Sequence, residues 1–463
     1  MLRATLLHRV GIAQNKQTCR TRAPLRNPKL LGLSLVVMGL VAGCGVSAAQ
    51  GAAHTATKPM TFWYMGATGT QARIVQSLLQ PWARAHHTTV TVTPISGASF
   101  TTEVDTAIAS GTLPNLMVTS QGYPDIYAKD HLAVDITRVD PALARYIRAH
   151  EPPLLAPGNT VENGQVYGAL ESAQPDLTYV NTRTLKQLHI PVPKTWKQLD
   201  QGVIPALLKA HRNYAGPGDS EWDWYATLYS YGGQVYSPQG NQVVMASAAG
   251  KAALKAYLAP YITDGVSTST APSQTMADLL AQGTYPVQIQ GSAFFANITA
   301  VPHFPQKDWA VLPYPAGPRG DYTWTGGTSV VAFTHSPPVN HEETSLLAAF
   351  WRAPVQRALS QQFDTKTQTL YTVANMAAWT GLRVPGLTTT DLSTMRSAIL
   401  HSVGVQAHTT VTQAQIVGMG NTWQTIQNDF DKMVLPHARF AHDAVLLTQA
   451  QSALQKAIHQ ASS

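Results

Sequence analysis

Cys44 is the residue whose chemistry is most strongly indicated by its neighbours. Residues 40–44 read Leu-Val-Ala-Gly-Cys and close an uncharged apolar stretch that begins at Leu30. Small residues directly before a cysteine are what a lipoprotein signal peptidase requires. We therefore expect cleavage before Cys44 and a lipid on its sulfur, with ordinary secretory cleavage near Ala48 and Ala49 as the alternative.

The segment before Cys44 is typical of an export signal. Residues 1–29 contain seven basic residues and no acid, and 30–43 are too short for a spanning helix of about 20 apolar residues. Without those seven, the 32 Lys and Arg of the chain fall to 25, which equals the 25 Asp and Glu. A neutral mature protein lacks the basic surface that nucleic-acid binding requires. Its low charge and the chain's 16 His suit an acidic exterior, although drift in composition also explains them.

Residue patterns typical of catalysis are absent from the sequence. It contains no Gly-x-Ser-x-Gly elbow, His-Glu-x-x-His zinc helix or Gly-x-x-x-x-Gly-Lys phosphate loop. No pair of Asp or Glu has a recognisable glycosidase setting, and His86-His87 is typical of a solvated helix end. Since Cys19 lies in the export signal and Cys44 at the anchor, we expect no disulfide, no metal site and no cofactor. These observations argue against an enzyme.

Strand-like and helix-like apolar spacing alternate along the mature chain, after a flexible tether over 44–59. This rhythm predicts a parallel sheet covered by helices on both faces. We predict strands over 60–65, 89–94, 115–119, 164–170, 177–180, 287–290, 309–312 and 327–333. We predict helices around 74–82, 100–109, 123–129, 182–188, 195–199, 221–231, 247–258, 275–280, 294–299 and 342–363, and an almost wholly helical pattern over 391–459.

Eight short segments occur in an order that resembles one protein family. They are 60–64 (Met-Thr-Phe-Trp-Tyr), 109–115 (Ala-Ser-Gly-Thr-Leu-Pro-Asn), 167–169 (Tyr-Gly-Ala), 179–181 (Tyr-Val-Asn), 191–196 (Pro-Val-Pro-Lys-Thr-Trp), 232–233 (Gly-Gly), 291–292 (Gly-Ser) and 326–327 (Gly-Gly). Together they resemble the extracellular solute-binding proteins of carbohydrate ABC importers, family 1, over nearly all the mature chain. Within that family, 291–298 and 326–329 look more like the glycerol-3-phosphate-binding branch than like maltose-binding proteins.

The sequence departs from the glycerophosphate binders at two places. Those proteins carry an acidic residue after the third strand, where this chain has Ser120-Gln121. They also place an arginine in the helix after a Gly-Asn pair, but residues 422–427, which follow Gly420-Asn421, contain none. Because a buried phosphate without a bidentate arginine loses its best partner, we expect a neutral sugar or short oligosaccharide as the ligand.

The resemblance implies a periplasmic-binding-protein-like fold of type II. Two α/β lobes are then joined by crossing hinge strands near 168–172, 313–317 and 368–372, and they close on the ligand. Lobe 1 is expected to comprise 60–168 and 317–368, and lobe 2 to comprise 172–313 and 371–463. Residues 1–43 form the signal peptide in this scheme.

A sugar site needs aromatic plates and planar polar groups in a cleft that excludes water. Through the resemblance, and through the rule that ligands lie beyond the carboxyl ends of sheet strands, we select Trp222, Trp423, Trp63, Tyr64, Gln121, Ser120, Phe294, Gly327 and Trp324. One of Trp222 and Trp224 is expected to be core, because residues two apart on a helix face different sides. Packing in the core is the alternative for Trp423 and Phe294 also. Glu171 and Asp176 are expected either to accept ligand hydroxyls or to be solvated hinge charges.

The resemblance implies a lipid-anchored, monomeric, extracellular or periplasmic protein that captures a sugar and delivers it to a membrane permease of an ABC importer. Binding of glycerol-3-phosphate or a glycerophosphodiester is the nearest alternative. An exported glycan-active enzyme and a surface glycan-binding protein are the other classes that the sequence leaves open.

Overall fold

The computed structural model describes residues 58–156, 160–162, 164–216, 221–237, 242–262, 266, 271–335, 337–367, 371–403 and 440–462. The predicted signal peptide and most of the predicted tether lie outside these described residues. So do Cys44, Trp423 and the 422–427 segment.

Alternation of buried and exposed side chains begins at Met60, where the first strand starts. The strands are β1 (Met60–Met65), β2 (Val90–Ile95), β3 (Leu116–Ser120), β4 (Val161–Glu162), β5 (Gln165–Val166), β6 (Gly168–Asn181), β7 (Val287–Gly291), β8 (Trp309–Leu312), β9 (Thr323–Ala332) and β10 (Ser402–Val403). The predicted strands over 60–65 and 309–312 are confirmed with the same bounds. The predictions of 164–170 and 177–180 as separate strands are wrong, since 168–181 form a single strand.

The helices begin and end largely where capping residues stand. They are α1 (Gly69–Ala85), α2 (Phe100–Ser110), α3 (Tyr123–Lys129), α4 (Ile136–Val139), α5 (Pro141–His150), α6 (Thr182–Gln187), α7 (Trp196–Gln198), α8 (Ile204–Lys209), α9 (Glu221–Ser230), α10 (Ala248–Ile262), α11 (Ser273–Ala281), α12 (Phe294–Thr299), α13 (Pro337–Trp351), α14 (Ala353–Thr367), α15 (Thr389–Leu400) and a last helix, Phe440–Ser462. Thr68 closes a capping box with Gln71 before α1. The Thr195 side chain caps α7, and Gly111 ends α2 in the left-handed conformation that favours glycine.

The central sheet is mixed, which corrects the prediction of a parallel sheet. Its strand order is β2-β1-β3-β9-β6-β7, with β8 paired to β6 and β10 to β9. Strands β1, β2 and β3 are parallel, whereas β9 is antiparallel to both β3 and β6. An antiparallel partner needs no crossover helix beside it, so the rhythm of strand and helix alone could not reveal β9's direction.

Strand β6 exchanges partners along its length. Residues 168–175 pair with β9, and a bulge lies between Leu170 and Ser172. Residues 176–181 pair instead with β7 and β8. The segment 371–374 joins this exchange region, because Val373 bridges Ser172 and the Ala374 N–H donates to the Glu171 carbonyl. Strand β6 therefore belongs to both halves of the sheet.

Apolar side chains pack on both faces of the sheet. One face of β1 carries Phe62 and Tyr64 into the largest core, whereas the other carries Trp63 toward a smaller core that contains Met117 and Phe333. Two further cores lie among the helices that follow β6. Among the helices that the structure describes, none is both long and apolar enough to cross a membrane.

Candidate functional site

Four strands present their ends or bends at one place in the sheet, which we name the binding edge. It consists of Trp63–Met65 at the end of β1, Ser120–Gln121 at the end of β3, Gly326–Thr328 of β9 and Glu171–Ser172 of β6. β1 and β3 are parallel and paired, so their carboxyl ends meet. Ser120 pairs with Thr328, and Ala173, next to Ser172, pairs with Gly327. Six of the nine residues selected from the sequence lie here or two residues away: Trp63, Tyr64, Ser120, Gln121, Gly327 and Trp324.

Glu171 occupies the centre of the binding edge and is fully buried. Its carboxyl group accepts hydrogen bonds from the hydroxyls of Tyr64 and Thr328. The Thr328 hydroxyl also lies 2.7 Å from that of Ser172, and the Tyr64 hydroxyl lies 3.3 Å from that of Tyr371. Hydroxyl groups of the protein thus surround Glu171, so of its two predicted alternatives the solvated hinge charge is wrong.

Burial sets the ionisation of this network. Loss of water raises the pKa of Glu171 from 4.5 to about 7, and the hydrogen bonds from Thr328, Tyr64 and Ser172 counter only part of that rise. Burial, followed by the nearby Glu171 charge, raises the pKa of Tyr64 well above its usual 10. Tyr64 is therefore a neutral hydrogen-bond donor here. Its hydroxyl is engaged with Glu171, and its ring stacks on Phe62.

Gln121 carries a polar group with no partner. Its side-chain nitrogen is buried and has no hydrogen-bond partner among the described residues, and its backbone N–H donates to Gly327 at 3.3 Å. A Cβ at Gly327 would lie 2.6 Å from that nitrogen and 2.2 Å from the Ser172 carbonyl oxygen. Only glycine fits at 327.

The Ser120 hydroxyl, next to Gln121 in the chain, lies 3.7 Å from the Met65 sulfur at the end of β1.

The two tryptophans near the binding edge differ in position. Trp63 is half-buried and packs against the small core beneath α2 and α3. Trp324 is also half-buried, but it packs against the two cores formed by the helices after β6, with its ring against Gly326. One partly exposed indole thus packs against the small core beneath α2 and α3, and the other packs against the two cores after β6.

The remaining selected residues lie away from the binding edge or outside the described part. Phe294 opens α12 and is 4% exposed, and its ring packs edge-on against Tyr179 at 5.1 Å between centroids. Its contact with a ligand stays a prediction. Trp224 is fully buried in the core, whereas Trp222 lies on α9 with a side chain outside the described part.

Sequence reasoning did not select Thr328, Tyr371 and Thr372. Thr372 donates to the Ala173 carbonyl and lies 3.4 Å from the Ser292 hydroxyl, which links segment 371–374 to the residues before α12. A threonine or tyrosine in a short loop carries no local signal for such contacts. The only available indication was the predicted crossing near 368–372.

The binding edge contains one carboxyl group, that of Glu171, and no basic residue. Within the described ranges no group of three His, Cys, Asp or Glu is placed to hold a metal ion. The arrangement offers hydroxyls, an amide nitrogen and indole faces. Such groups recognise hydroxyls and apolar CH faces by hydrogen bonding and stacking.

Comparisons with known proteins place this fold. Solved structures similar to the chain include MalE, the sugar-binding protein of Xanthomonas citri (16% identity, 87% of this chain and 98% of that one, TM-score 0.68). The cyclic alpha-maltosyl-1,6-maltose binding protein of Arthrobacter globiformis (14%, 87% and 99%, 0.68) and UgpB of Mycobacterium tuberculosis in complex with glycerophosphocholine (16%, 87% and 99%, 0.65) are also similar. No curated protein sequence matches the chain.

These likenesses support the predicted periplasmic-binding-protein-like α/β fold. The sequence model of one family, described as bacterial extracellular solute-binding protein, matches residues 77–380. That match covers more than half of the chain, so the protein belongs to the bacterial extracellular solute-binding protein family.

Proposed function

We propose that this protein is the substrate-binding subunit of an ABC importer and captures a neutral sugar or oligosaccharide at the binding edge. A lipid on Cys44 holds it at the outer face of the membrane, where it works as a monomer and delivers the sugar to a permease. The family fixes the class, an extracellular solute-binding protein. The importer, the sugar and the anchor are our proposal, as are the lobe boundaries at 168–172, 313–317 and 368–371.

The buried amide nitrogen of Gln121 is the observation that carries the choice of ligand. It has no partner among the described residues, and a buried donor left unpaired costs about 1–3 kcal/mol. A ligand hydroxyl that accepts from Gln121, once the amide has turned from Gly327 toward the ligand, recovers that free energy. The half-buried ring of Trp63, on strand β1 beside β3, adds an apolar face of the kind that stacks on sugar rings.

The absence of a basic residue from the binding edge favours an uncharged ligand over a phosphate. No Lys, Arg or His belongs to it, whereas phosphate groups are held by bidentate arginines or helix amides. The sequence over 422–427 also lacks the arginine that the glycerophosphate binders carry. Similarity to UgpB concerns the fold, so a glycerophosphodiester enters as an outcome of the test.

Capture works by a shift between an open and a closed state. Ligand contacts made in the closed state, by residues on both sides of the exchange region of β6, stabilise that state over the open one. Trp63 and Trp324 belong to different cores, so a sugar touching both would hold the two halves together. The permease then receives the sugar when the protein opens.

Binding is tested on residues 45–463, which contain every described residue, with a panel of maltooligosaccharides, monosaccharides, polyols and glycerophosphodiesters. We expect a neutral glycan to raise the melting temperature, because a ligand of the native state stabilises it. Gln121→Leu, which removes the amide at similar volume, is expected to weaken that glycan by about tenfold to a hundredfold. Gln274→Leu on α11 is the matched control and leaves affinity unchanged. Stabilisation by glycerophosphodiesters alone overturns the neutral-ligand proposal.

Two further variants test the predicted stacking residue and the anchor. Trp222→Ala is expected to weaken glycan binding by about one to several kcal/mol, as loss of a buried aromatic side chain at an interface does, without unfolding the protein.

For the lipid anchor, Cys44→Ser in the full chain should move the protein from the detergent phase to the aqueous phase of a cloud-point extraction. Wild-type protein found in the aqueous phase refutes lipidation.

A further inference from the structure

Two buried carboxyl groups flank the bulge of β6. Glu151 is 4% exposed and Glu171 is 0% exposed. Glu151 follows α5 and accepts hydrogen bonds from the Leu170 N–H at 2.5 Å and from the Thr160 hydroxyl at 2.8 Å. Glu171 is the next residue after Leu170 and accepts from Tyr64 and Thr328. Two acids thus lie at the bulge of β6, the strand that joins both halves of the sheet.

Neither carboxyl group has a cation beside it. The ion pairs formed by the described residues involve neither Glu151 nor Glu171. An ionised carboxylate buried without a cation is strongly unfavourable, whereas a neutral carboxyl group with hydrogen-bond partners is tolerated. Geometry alone therefore favours the protonated form of both groups in the folded protein.

The hydrogen-bond partners of Glu171 fit a protonated as well as an ionised carboxyl group. A hydroxyl both donates and accepts, so a neutral Glu171 can donate to Tyr64, which then donates to Tyr371 at 3.3 Å. Ionised Glu171 instead accepts from Tyr64. The same chain of hydroxyl groups serves both states, with its direction reversed.

Glu151 has an equivalent arrangement. Neutral Glu151 can donate to the Thr160 hydroxyl, which in turn donates to the Ala156 carbonyl at 3.4 Å. The Leu170 N–H continues to donate to the other carboxyl oxygen in either state. Protonation of Glu151 therefore leaves no buried donor unpaired.

The titratable groups that face these acids are few. Tyr64 of β1 faces Glu171, and Tyr371 of segment 371–374 lies behind it. On Glu151's own helix, Arg148 donates to the Thr137 hydroxyl and the Gly164 carbonyl, and His150 contacts the Tyr146 carbonyl. From β6 and α13, the contacts around Leu170 are its own backbone groups and the Trp351 indole. No described basic group is engaged with either acid.

We propose that the folded protein holds a proton on each of Glu151 and Glu171, so that the fold is most stable in an acidic medium. Burial raises the pKa of Glu171 to about 7 and that of Glu151 to about 8, from 4.5 in the unfolded chain. The stabilisation is therefore fully present below pH 4.5 and is lost as pH rises through 7 and 8. This inference does not depend on which solute the protein binds.

Urea unfolding between pH 4.5 and 9 tests the proposal without any sugar present. We expect the wild-type midpoint to fall as pH rises, because each ionising group raises the unfolding constant by up to about tenfold per pH unit within its window. Glu171→Gln and Glu151→Gln imitate the neutral form. Each should flatten the profile and exceed wild type above pH 7, whereas Asp278→Asn on α11, a partly exposed acid, should leave it unchanged.

A second measurement covers the case in which a variant does not fold. The infrared carbonyl band of protonated carboxyl groups should persist at pH 6 and disappear between pH 6 and 9, measured in a Glu343→Gln, Asp443→Asn background because burial also raises the pKa of those two acids, to about 8 and about 6. Absence of that band at pH 6, or a wild-type midpoint that is highest above pH 8, overturns the proposal. Both readouts leave the sugar-binding proposal unaffected.

Discussion

Replacing Gly327 with alanine tests whether the binding edge is built as described. A Cβ at this position would stand 2.2 Å from the backbone oxygen of Ser172, and real Cβ contacts are essentially never under 3.0 Å. The separation must therefore widen by about 0.8 Å, the difference between the two. Because Ser172 is held in the β6–β9 ladder, the strands must part, and overpacking of this kind costs about 1–3 kcal/mol.

The same substitution also reaches the proposed ligand contact. The added Cβ would lie 2.6 Å from the side-chain nitrogen of Gln121, so that amide has to turn away. We expect Gly327→Ala to lower the free energy of unfolding by about 1–3 kcal/mol and to weaken glycan binding. Urea denaturation followed by tryptophan fluorescence measures the first effect, and isothermal titration calorimetry measures the second.

Gly202→Ala is the matched control for this experiment. An added Cβ at Gly202 meets no atom within 4 Å, and the residue lies in a helical turn between α7 and α8. Alanine there should be neutral or stabilise the protein by up to about 1 kcal/mol. If Gly327→Ala unfolds at the wild-type urea concentration and binds glycan with wild-type affinity, the close approach of β9 to β6 and Gln121 is wrong.

Three further substitutions have defined outcomes. Tyr64→Phe removes a donor from buried Glu171 and should destabilise the protein at pH 8 by about 1–3 kcal/mol, with a smaller loss at pH 5; equal losses in urea titrations at the two pH values would contradict the network. Trp224→Ala should cost about 3–5 kcal/mol, since the ring is fully buried, and a calorimetric melting temperature equal to wild type would refute its core position. His211 has φ 53° after α8, so His211→Gly should raise the unfolding free energy by about 0.5–1 kcal/mol, and a lower melting temperature would contradict relief of strain.

Local sequence patterns were sufficient for elements with strong periodicity. The bounds of β1, α3, β8 and α12 agree with their predictions, because each is short and carries a compact apolar pattern. Residues with the left-handed backbone conformation, most of which follow helices, were less predictable. Among the described residues, five non-glycine residues have positive φ and all are histidines: His87, His131, His189 and His211 just after helices, and His303 in a turn. Glycine or asparagine is usual there.

Long-range pairing explains most of what sequence reasoning missed. Glu171 and Pro175 are poor strand formers, so β6 was predicted as two pieces. In the structure Glu171 falls at the bulge, and Pro175 pairs with Thr325 beside the position where β6 changes partners. Neither circumstance is visible in neighbouring residues, since both depend on β9 more than 140 residues away. Burial of Glu171 likewise depends on Tyr64 and Thr328, which local charge patterns do not reveal.

The exchange of partners in β6 also indicates where the molecule can bend. β6 hydrogen-bonds both to β9 and to segment 371–374 around Ser172 and Ala173, so these three segments form one ribbon centred on β6. The last β6–β9 pair involves Pro175, which has no N–H to donate, and the first β6–β7 pair is at Asp176. Backbone rotation between 175 and 176 therefore breaks fewer ladder hydrogen bonds than rotation at 171–173. In the capture mechanism proposed above, Glu171 would therefore stay with β1, to which the Tyr64 hydroxyl ties it, while β7 and β8 move.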